Sequence, residues 1–252
     1  MTEAIMTKLE DGVRHIQLNR PEKKNALTSN MYTAMAEALN ESNDKQEIKV
    51  NLLYGTQYGT QGCFTAGNDI HDFLTITQTG KSDESALLFL KSLATLKAPL
   101  ILAIDGPAIG IGTTMIFHAD LVYATEQAIF QTPFLDLGLL PEAASSYLMP
   151  EAIGHHRAFE LLCLGETYSA QKAIGAGFVN QLFPAETLIE EATAIAVRLA
   201  QKPAKALRTA KSLMRSAHKD LIQNTMEREN ELFKTQLNSA EAKNAFLAFL
   251  NK

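Results

Sequence analysis

The chain has 252 residues, 46% of them apolar and 20% charged, which is enough apolar material for the core of one large domain. Its formal net charge of −5 gives no basic surface for nucleic acid or for an anionic membrane. Two cysteines, no leader-like N-terminus and no uninterrupted apolar span predict a cytoplasmic protein without disulfides, metal or a membrane segment.

The first predicted elements are a strand and a helix. Apolar and polar residues alternate over residues 13–18, which is the period of a half-buried strand. A helix capped by Thr28 or Ser29 is expected to follow. The apolar face of this helix consists of Met31, Met35, Ala38 and Leu39.

Apolar runs of strand length continue the chain, and a helical pattern covers residues 86–96. The predicted strands are 50–54, 100–104, 121–124 and 178–183. After Pro184, four consecutive helices are predicted at 185–201, 204–218, 220–236 and 239–250. The alternation predicts an α/β fold, with a core in 1–200 and a C-terminal helical region in 201–252 that packs on the core or on a neighbouring subunit.

A first candidate loop spans residues 63–70. Gly67 lets a ligand approach the backbone closely. If Asp69 caps the following turn, the Asn68 N–H is left free to donate. On the pattern alone, an ordinary strand-to-helix turn is favoured.

A second candidate loop, residues 105–114, runs from a strand into an apolar helix predicted at Met115 to Ala119. The first N–H groups of a helix have no intrahelical partner, so the Ile111 N–H can polarise a carbonyl. A dinucleotide fingerprint is a weak alternative, because Met115 occupies the place of the third glycine. Tight helix-strand packing explains the glycines equally well.

Glu142 is the third candidate. It lies among Leu139, Leu140, Pro141, Ala143 and Ala144, so an inward-facing loop would remove its hydration and raise the pKa of its carboxyl toward the range of a general base. The other reactive side chains have simpler explanations: His118 is expected to be a packed histidine, and Cys63 has no histidine to activate it.

The ordered set of segments resembles the crotonase (enoyl-CoA hydratase/isomerase) superfamily. Each motif alone is modest, but the set in this order is specific. The matching segments are Asn19-Arg20-Pro21, Asn25-Ala26-Leu27, Ala66-Gly67-Asn68-Asp69, the glycine-rich stretch 106–112, Asp120, Gly138-Leu139, 169–173 and 177–179. The resemblance implies a spiral of ββα units followed by C-terminal helices, with assembly as a trimer or a dimer of trimers.

The resemblance also assigns roles to both loops. It implies that the backbone N–H groups of Asn68 and Ile111 bind the thioester oxygen of an acyl-CoA, and that CoA is part of the substrate rather than a cofactor. The CoA-binding positions it implies are Lys23, Lys24, Ala26, Ala66, Gly67, Asn68, Asp69 and Ile70. Acyl-chain contacts are expected from Phe73, Leu74 or Ile76.

Two departures from the hydratase pattern are informative. Hydratases of the superfamily use two glutamates, and the matching positions here are Thr114 and Phe134. Glu142 instead matches the base of peroxisomal-type Δ3,Δ2-enoyl-CoA isomerases, although the chain does not end in a peroxisomal Ser-Lys-Leu tag. The resemblance therefore implies that Glu142 moves a proton from C2 to C4 of a 3-enoyl-CoA.

Other functions remain open at this point. The enzymatic alternatives are hydration and dienoyl-CoA isomerisation. From a different class, the chain can be a non-catalytic acyl-CoA binder or an RNA-associated protein, although its acidic balance counts against RNA.

Overall fold

The computed structural model describes residues 3–58, 61–70 and 84–250. The expected acyl-chain contacts Phe73, Leu74 and Ile76 lie outside these ranges.

The described residues form eleven strands. They are β1 (Ile5–Glu10), β2 (Val13–Leu18), β3 (Val50–Gly55), β4 (Gln57–Tyr58), β5 (Gln61–Gly62), β6 (Leu100–Ile104), β7 (Pro107–Ile109), β8 (Leu121–Ala124), β9 (Ile129–Gln131), β10 (Tyr168–Ser169) and β11 (Gln181–Leu182). A six-stranded sheet has the order β1-β2-β3-β6-β8-β11, a smaller sheet has the order β10-β9-β7, and β4 pairs with β5. In the large sheet β1 and β2 are antiparallel, and every later pair is parallel.

The described residues also form ten α-helices. They are α1 (Ser29–Asp44), α2 (Ser85–Thr95), α3 (Ile111–Thr114), α4 (Ser145–Ile153), α5 (His155–Leu162), α6 (Ala170–Ala176), α7 (Leu188–Ala200), α8 (Ala204–Ser216), α9 (Lys219–Leu237) and α10 (Ala240–Leu250). Thr28 caps α1 by accepting a hydrogen bond from the Met31 N–H, and the predicted apolar face of α1 is buried.

The large sheet is covered on both faces, which is why its central strands are continuous apolar runs. Every residue of β6 is buried. Leu102 belongs to the main core, whereas its neighbour Ile101 packs in a second cluster with Ala192 and Ala196 of α7. The period of two along the strand thus divides the core between the two faces.

The chain repeats a simple path between the two sheets. It runs from β6 in the large sheet to β7 in the small sheet and into α3, and then from β8 to β9 and onward to α4. This is the predicted spiral of ββα units, and the α/β class is confirmed.

Two predicted elements were wrong in extent. The strand expected at 178–183 is only Gln181–Leu182. The strand does not begin earlier because the side-chain oxygen of Asn180, rather than a backbone oxygen, accepts the hydrogen bond from the Val122 N–H of β8. The helix expected at Met115 to Ala119 is a 3-10 turn, Met115–His118, that follows α3. The four helices after Pro184 are confirmed to within three residues.

The C-terminal helices contact the core of the same chain. Lys211 of α8 is buried and donates to the Ala98 carbonyl oxygen at 2.8 Å and to the Asp120 carboxylate at 2.7 Å. Met226 of α9 and Phe246 of α10 lie in the main apolar cluster. Within the described ranges, none of the helices combines the length and the apolarity needed to cross a bilayer.

Candidate active site

Two parallel β-bridges bring the first two candidate loops side by side. Thr65 pairs with Ala108, and Leu27 pairs with Asn68. Asn68 lies three residues after Thr65, and Ile111 lies three residues after Ala108. The two predicted donors therefore lie at equivalent positions, each three residues after the bridge between Thr65 and Ala108.

Both donors have free N–H groups. In its bridge, Leu27 bonds to Gly67 and Asp69, so the Asn68 N–H points away from it. Ile111 is the first residue of α3, and the Gly110 carbonyl oxygen is taken by Thr113 and Thr114. Neither the Asn68 nor the Ile111 N–H has an acceptor within the described ranges. The pair is thus available to an outside oxygen.

Glycine is required beside each donor. Gly67 has a φ of +88°, and a Cβ there would meet the Ile109 carbonyl oxygen at 3.0 Å. Gly110 has a φ of +57° and turns the chain from β7 into α3. Both positions use the left-handed region that other residues rarely adopt.

The Asn68 segment is held from both sides. The Tyr32 hydroxyl donates to the side-chain oxygen of Asn68. Arg20 forms a 2.7 Å ion pair with the neighbouring Asp69 and also donates to the Ala26 carbonyl oxygen. Asp69 therefore binds Arg20 in this structure, and the Arg20-Asp69 pair keeps the Asn68 backbone in place.

Glu142 is linked to the helix of the second donor through Thr114, which lies three residues after Ile111 in α3. The Thr114 hydroxyl is 2.5 Å from Glu142 Oε1 and 3.4 Å from the Ile111 carbonyl oxygen. Since the hydroxyl carries one proton, it donates to the carboxylate at the shorter distance. Glu142 is half-buried, so part of its surface stays open to a ligand.

The surroundings of Glu142 favour its neutral form. Burial raises the pKa of its carboxyl from 4.5 to about 8. The Thr114 hydrogen bond opposes this shift, and the charge of Glu229 adds to it. A carboxylate with this pKa is a much stronger base than an exposed one.

The backbone that carries Glu142 is unusual. Ala143 and Ala144 have φ values of +61° and +53°, although neither is glycine. His118 lies 2.7 Å from the Ala143 carbonyl oxygen through Nε2, and burial lowers its pKa to about 4, so it donates as a neutral ring. His118 is therefore the packed histidine that was predicted, and it also holds this loop.

Glu229 is a residue of this site that the sequence analysis missed. It reaches from α9 and accepts hydrogen bonds from the Ala144 N–H at 2.6 Å, the Ser146 N–H at 2.9 Å and the Ser146 hydroxyl at 2.5 Å. A signal was present: Glu229 occupies the apolar stripe of α9, in which Ile222, Met226 and Leu237 are buried and Phe233 is partly buried. An acid on an apolar face seldom lacks a partner.

The two positions where hydratases carry glutamates are filled differently. Thr114 is fully buried and binds Glu142. Phe134 is buried, and its ring lies against Gly110. Neither side chain can deprotonate or position water as a carboxylate does.

The two segments that carry most of the predicted CoA positions are adjacent in the structure. The Ala66 N–H donates to the Lys24 carbonyl oxygen, and the Leu27 N–H donates to the Gly67 carbonyl oxygen, so 24–27 and 66–69 are adjacent. The side chains of Lys23 and Lys24 are exposed, and Ala26 and Ile70 are half-buried.

Burial raises the pKa of the nearby Cys63 thiol to about 11, which leaves it protonated and unreactive.

The comparisons with known proteins identify the family of the chain. Residues 8–252 match the family described as enoyl-CoA hydratase/isomerase. The chain is 32% identical to human "Enoyl-CoA delta isomerase 2" over 99% of its own length, but it spans only 64% of that protein. It is 31% identical to "1,2-epoxyphenylacetyl-CoA isomerase" of Escherichia coli K12, covering 100% of this chain and 97% of the relative.

A solved structure gives the same result for the fold. The crystal structure of an enoyl-CoA hydratase/isomerase from Pseudoalteromonas atlantica T6c superposes with a TM-score of 0.93 at 38% identity, covering 99% of this chain and 97% of the other. The chain therefore belongs to the enoyl-CoA hydratase/isomerase family of the crotonase superfamily, as its ordered motifs predicted.

Proposed function

We propose that this protein is an acyl-CoA isomerase that converts a 3-enoyl-CoA into the trans-2-enoyl-CoA, with Glu142 as its single acid-base group. The observation that carries the proposal is one desolvated carboxylate hydrogen-bonded to Thr114, three residues after Ile111, whose backbone N–H has no acceptor among the described residues. The resemblance of the chain to an enoyl-CoA delta isomerase supports the same reaction.

The reaction starts with removal of a C2 proton by the Glu142 carboxylate. Electron density moves toward the thioester oxygen, which the N–H groups of Asn68 and Ile111 stabilise as a dienolate. The protonated carboxyl then returns the same proton at C4, and the double bond moves into conjugation with the thioester. One acid is sufficient because both carbons lie on one face of a planar intermediate.

The identities of the neighbouring residues favour isomerisation over hydration. Water addition needs one group to deprotonate water and another to protonate carbon. Thr114 and Phe134 offer no second acid, and Glu229 is fully engaged with backbone and Ser146. We extend the proposal to CoA recognition by the segments 24–27 and 66–70, which lie together beside the first donor.

The test follows 3-hexenoyl-CoA by the rise of conjugated enoyl-thioester absorbance. Glu142→Gln is expected to lower kcat by at least about 100-fold, on the scale typical of a lost general base. Crotonyl-CoA hydration is measured in parallel and is expected to be negligible. Equal turnover of the wild type and Glu142→Gln, or faster hydration than isomerisation, contradicts the proposal.

A further inference from the structure

Glu229 belongs to a helix far along the chain, yet it contacts the loop that presents the base. Its carboxylate accepts three hydrogen bonds, all from the two residues Ala144 and Ser146. The Ser145 N–H in turn donates to the Glu142 carbonyl oxygen at 3.0 Å. The backbone that Glu229 holds therefore lies two and four residues after the base.

We propose that Glu229 is a positioning residue for the base: its carboxylate fixes the loop that presents Glu142 and places a negative charge beside it. This inference rests on the proposed role of Glu142 as the base. It assigns a catalytic consequence to a buried acid in the C-terminal helices, outside the loops that bind substrate.

The loop needs an external restraint. The left-handed region is unfavourable for an L-residue because its Cβ crowds the following carbonyl oxygen, and both Ala143 and Ala144 adopt it. Such a conformation persists only where its surroundings determine it. His118 holds one end through the Ala143 carbonyl oxygen, and Glu229 holds the other through two N–H groups and a hydroxyl.

Glu229 also completes the start of α4. Ala144 precedes that helix and has no side chain that can cap it. The unpaired N–H groups at a helix start favour an anionic acceptor, and the Glu229 carboxylate supplies one from another helix. These donors favour the ionised form of Glu229 and oppose the effect of burial, which raises its pKa.

The charges near the loop come from several elements. His118 is neutral, and Arg215 of α8 binds the His118 carbonyl oxygen at 2.6 Å. On the other side, the Tyr147 hydroxyl of α4 contacts His218 at 2.5 Å. Besides burial and the Thr114 hydroxyl, Glu229 is the group that shifts the pKa of Glu142, and it raises it. We therefore expect that removing the Glu229 charge lowers that pKa.

The experiment is a titration of Glu142 that needs no turnover. Glutamate labelled with ¹³C at the side-chain carboxyl is incorporated into the full chain, and the Glu142 resonance is identified by its absence in Glu142→Gln. Glu229→Gln is expected to lower the titration midpoint of Glu142 by about one pH unit. Glu227→Gln, an exposed acid on the same helix, is the matched control and leaves the midpoint unchanged.

A second variant separates the effect of the Glu229 charge from the effect of its side-chain length. Glu229→Asp keeps the negative charge but is one methylene too short for all three donors, so the midpoint stays raised while kcat for 3-hexenoyl-CoA falls. In both variants we expect kcat to fall on the order of 10-fold with a smaller change in KM, because the base is misplaced rather than the binding site lost. In Glu229→Gln the acid limb of the pH-rate profile also moves to lower pH.

The outcomes are distinguishable. An unchanged or raised Glu142 midpoint in folded Glu229→Gln overturns this inference. If the midpoint falls but the wild type does not isomerise 3-hexenoyl-CoA, the proposed function fails and the electrostatic role of Glu229 stands. If Glu229→Gln does not fold, Ser146→Ala decides, since it deletes one donor from an exposed residue. Unchanged kcat and Glu142 titration in that variant overturn the inference.

Discussion

At the scale of single residues, the base Glu142 should destabilise the fold that carries it. Its pKa is about 8 in the folded protein and 4.5 in the unfolded chain. Between these pH values Glu142 is ionised in the unfolded chain and protonated in the folded protein. The free energy of unfolding therefore falls as pH rises through this window and levels off above pH 8. The loss above pH 8 is on the order of a few kcal/mol at most.

Glu142→Gln removes this titration while keeping an acceptor for the Thr114 hydroxyl. We expect the variant to be more stable than the wild type at pH 9, and the difference to be much smaller at pH 5. Urea unfolding at both pH values and at one protein concentration measures the difference in the free energy of unfolding. The titration of Glu229 is present in both proteins and largely cancels in this difference. A stability difference that is the same at both pH values contradicts a raised pKa.

At the scale of elements, α8 is fixed to the large sheet by a buried amine. Lys211 binds the Asp120 carboxylate, which also accepts from the Leu100 N–H at the start of β6. Lys211→Met leaves the Ala98 carbonyl oxygen without this donor, and it leaves the Asp120 carboxylate with the Leu100 N–H but without its cationic partner. We expect a loss of about 3–5 kcal/mol in the free energy of unfolding, as for other broken buried pairs.

The matched control is Lys205→Met, which changes an exposed lysine on the same helix. It is expected to shift the free energy of unfolding by less than about 0.5 kcal/mol. Urea titrations of both variants compare the two sites, and equal stability of Lys211→Met and the wild type would show that α8 is held by other contacts.

The elements also show what sequence patterns can and cannot predict. The strand at 100–104 was predicted with its observed bounds because a fully buried parallel strand is a continuous apolar run. Glu142 was identified as a candidate by its apolar neighbours. Glu229 was not: its place on the apolar stripe of α9 indicated a buried acid, but two of its three donors are backbone N–H groups 83 and 85 residues away, and main-chain donors leave no mark in a sequence.

At the scale of the whole molecule, the C-terminal helices present apolar side chains that the described part of the chain leaves exposed. Several of the large apolar residues exposed in the described ranges lie on α8, α9 and α10. They are Leu213, Met214, Leu221, Leu232 and Leu247, and the first two are 72% and 74% exposed. These exposed residues are the basis of a prediction that the C-terminal helices contact a neighbouring subunit, as the resemblance to the crotonase superfamily implies.

We therefore expect the protein to sediment at micromolar concentration as three or six copies of the 27.6 kDa chain. Replacing both Leu213 and Met214 with Glu places two charges on α8. The variant should stay folded but form a smaller assembly, because burying an unpaired carboxylate at an interface is costly. Leu88→Glu, at a 54% exposed position on α2, is the matched control and should keep the assembly intact. A monomeric wild type would contradict this prediction, because the C-terminal helices would then pack only within one chain. The exposed side chains on α8 would then need another explanation.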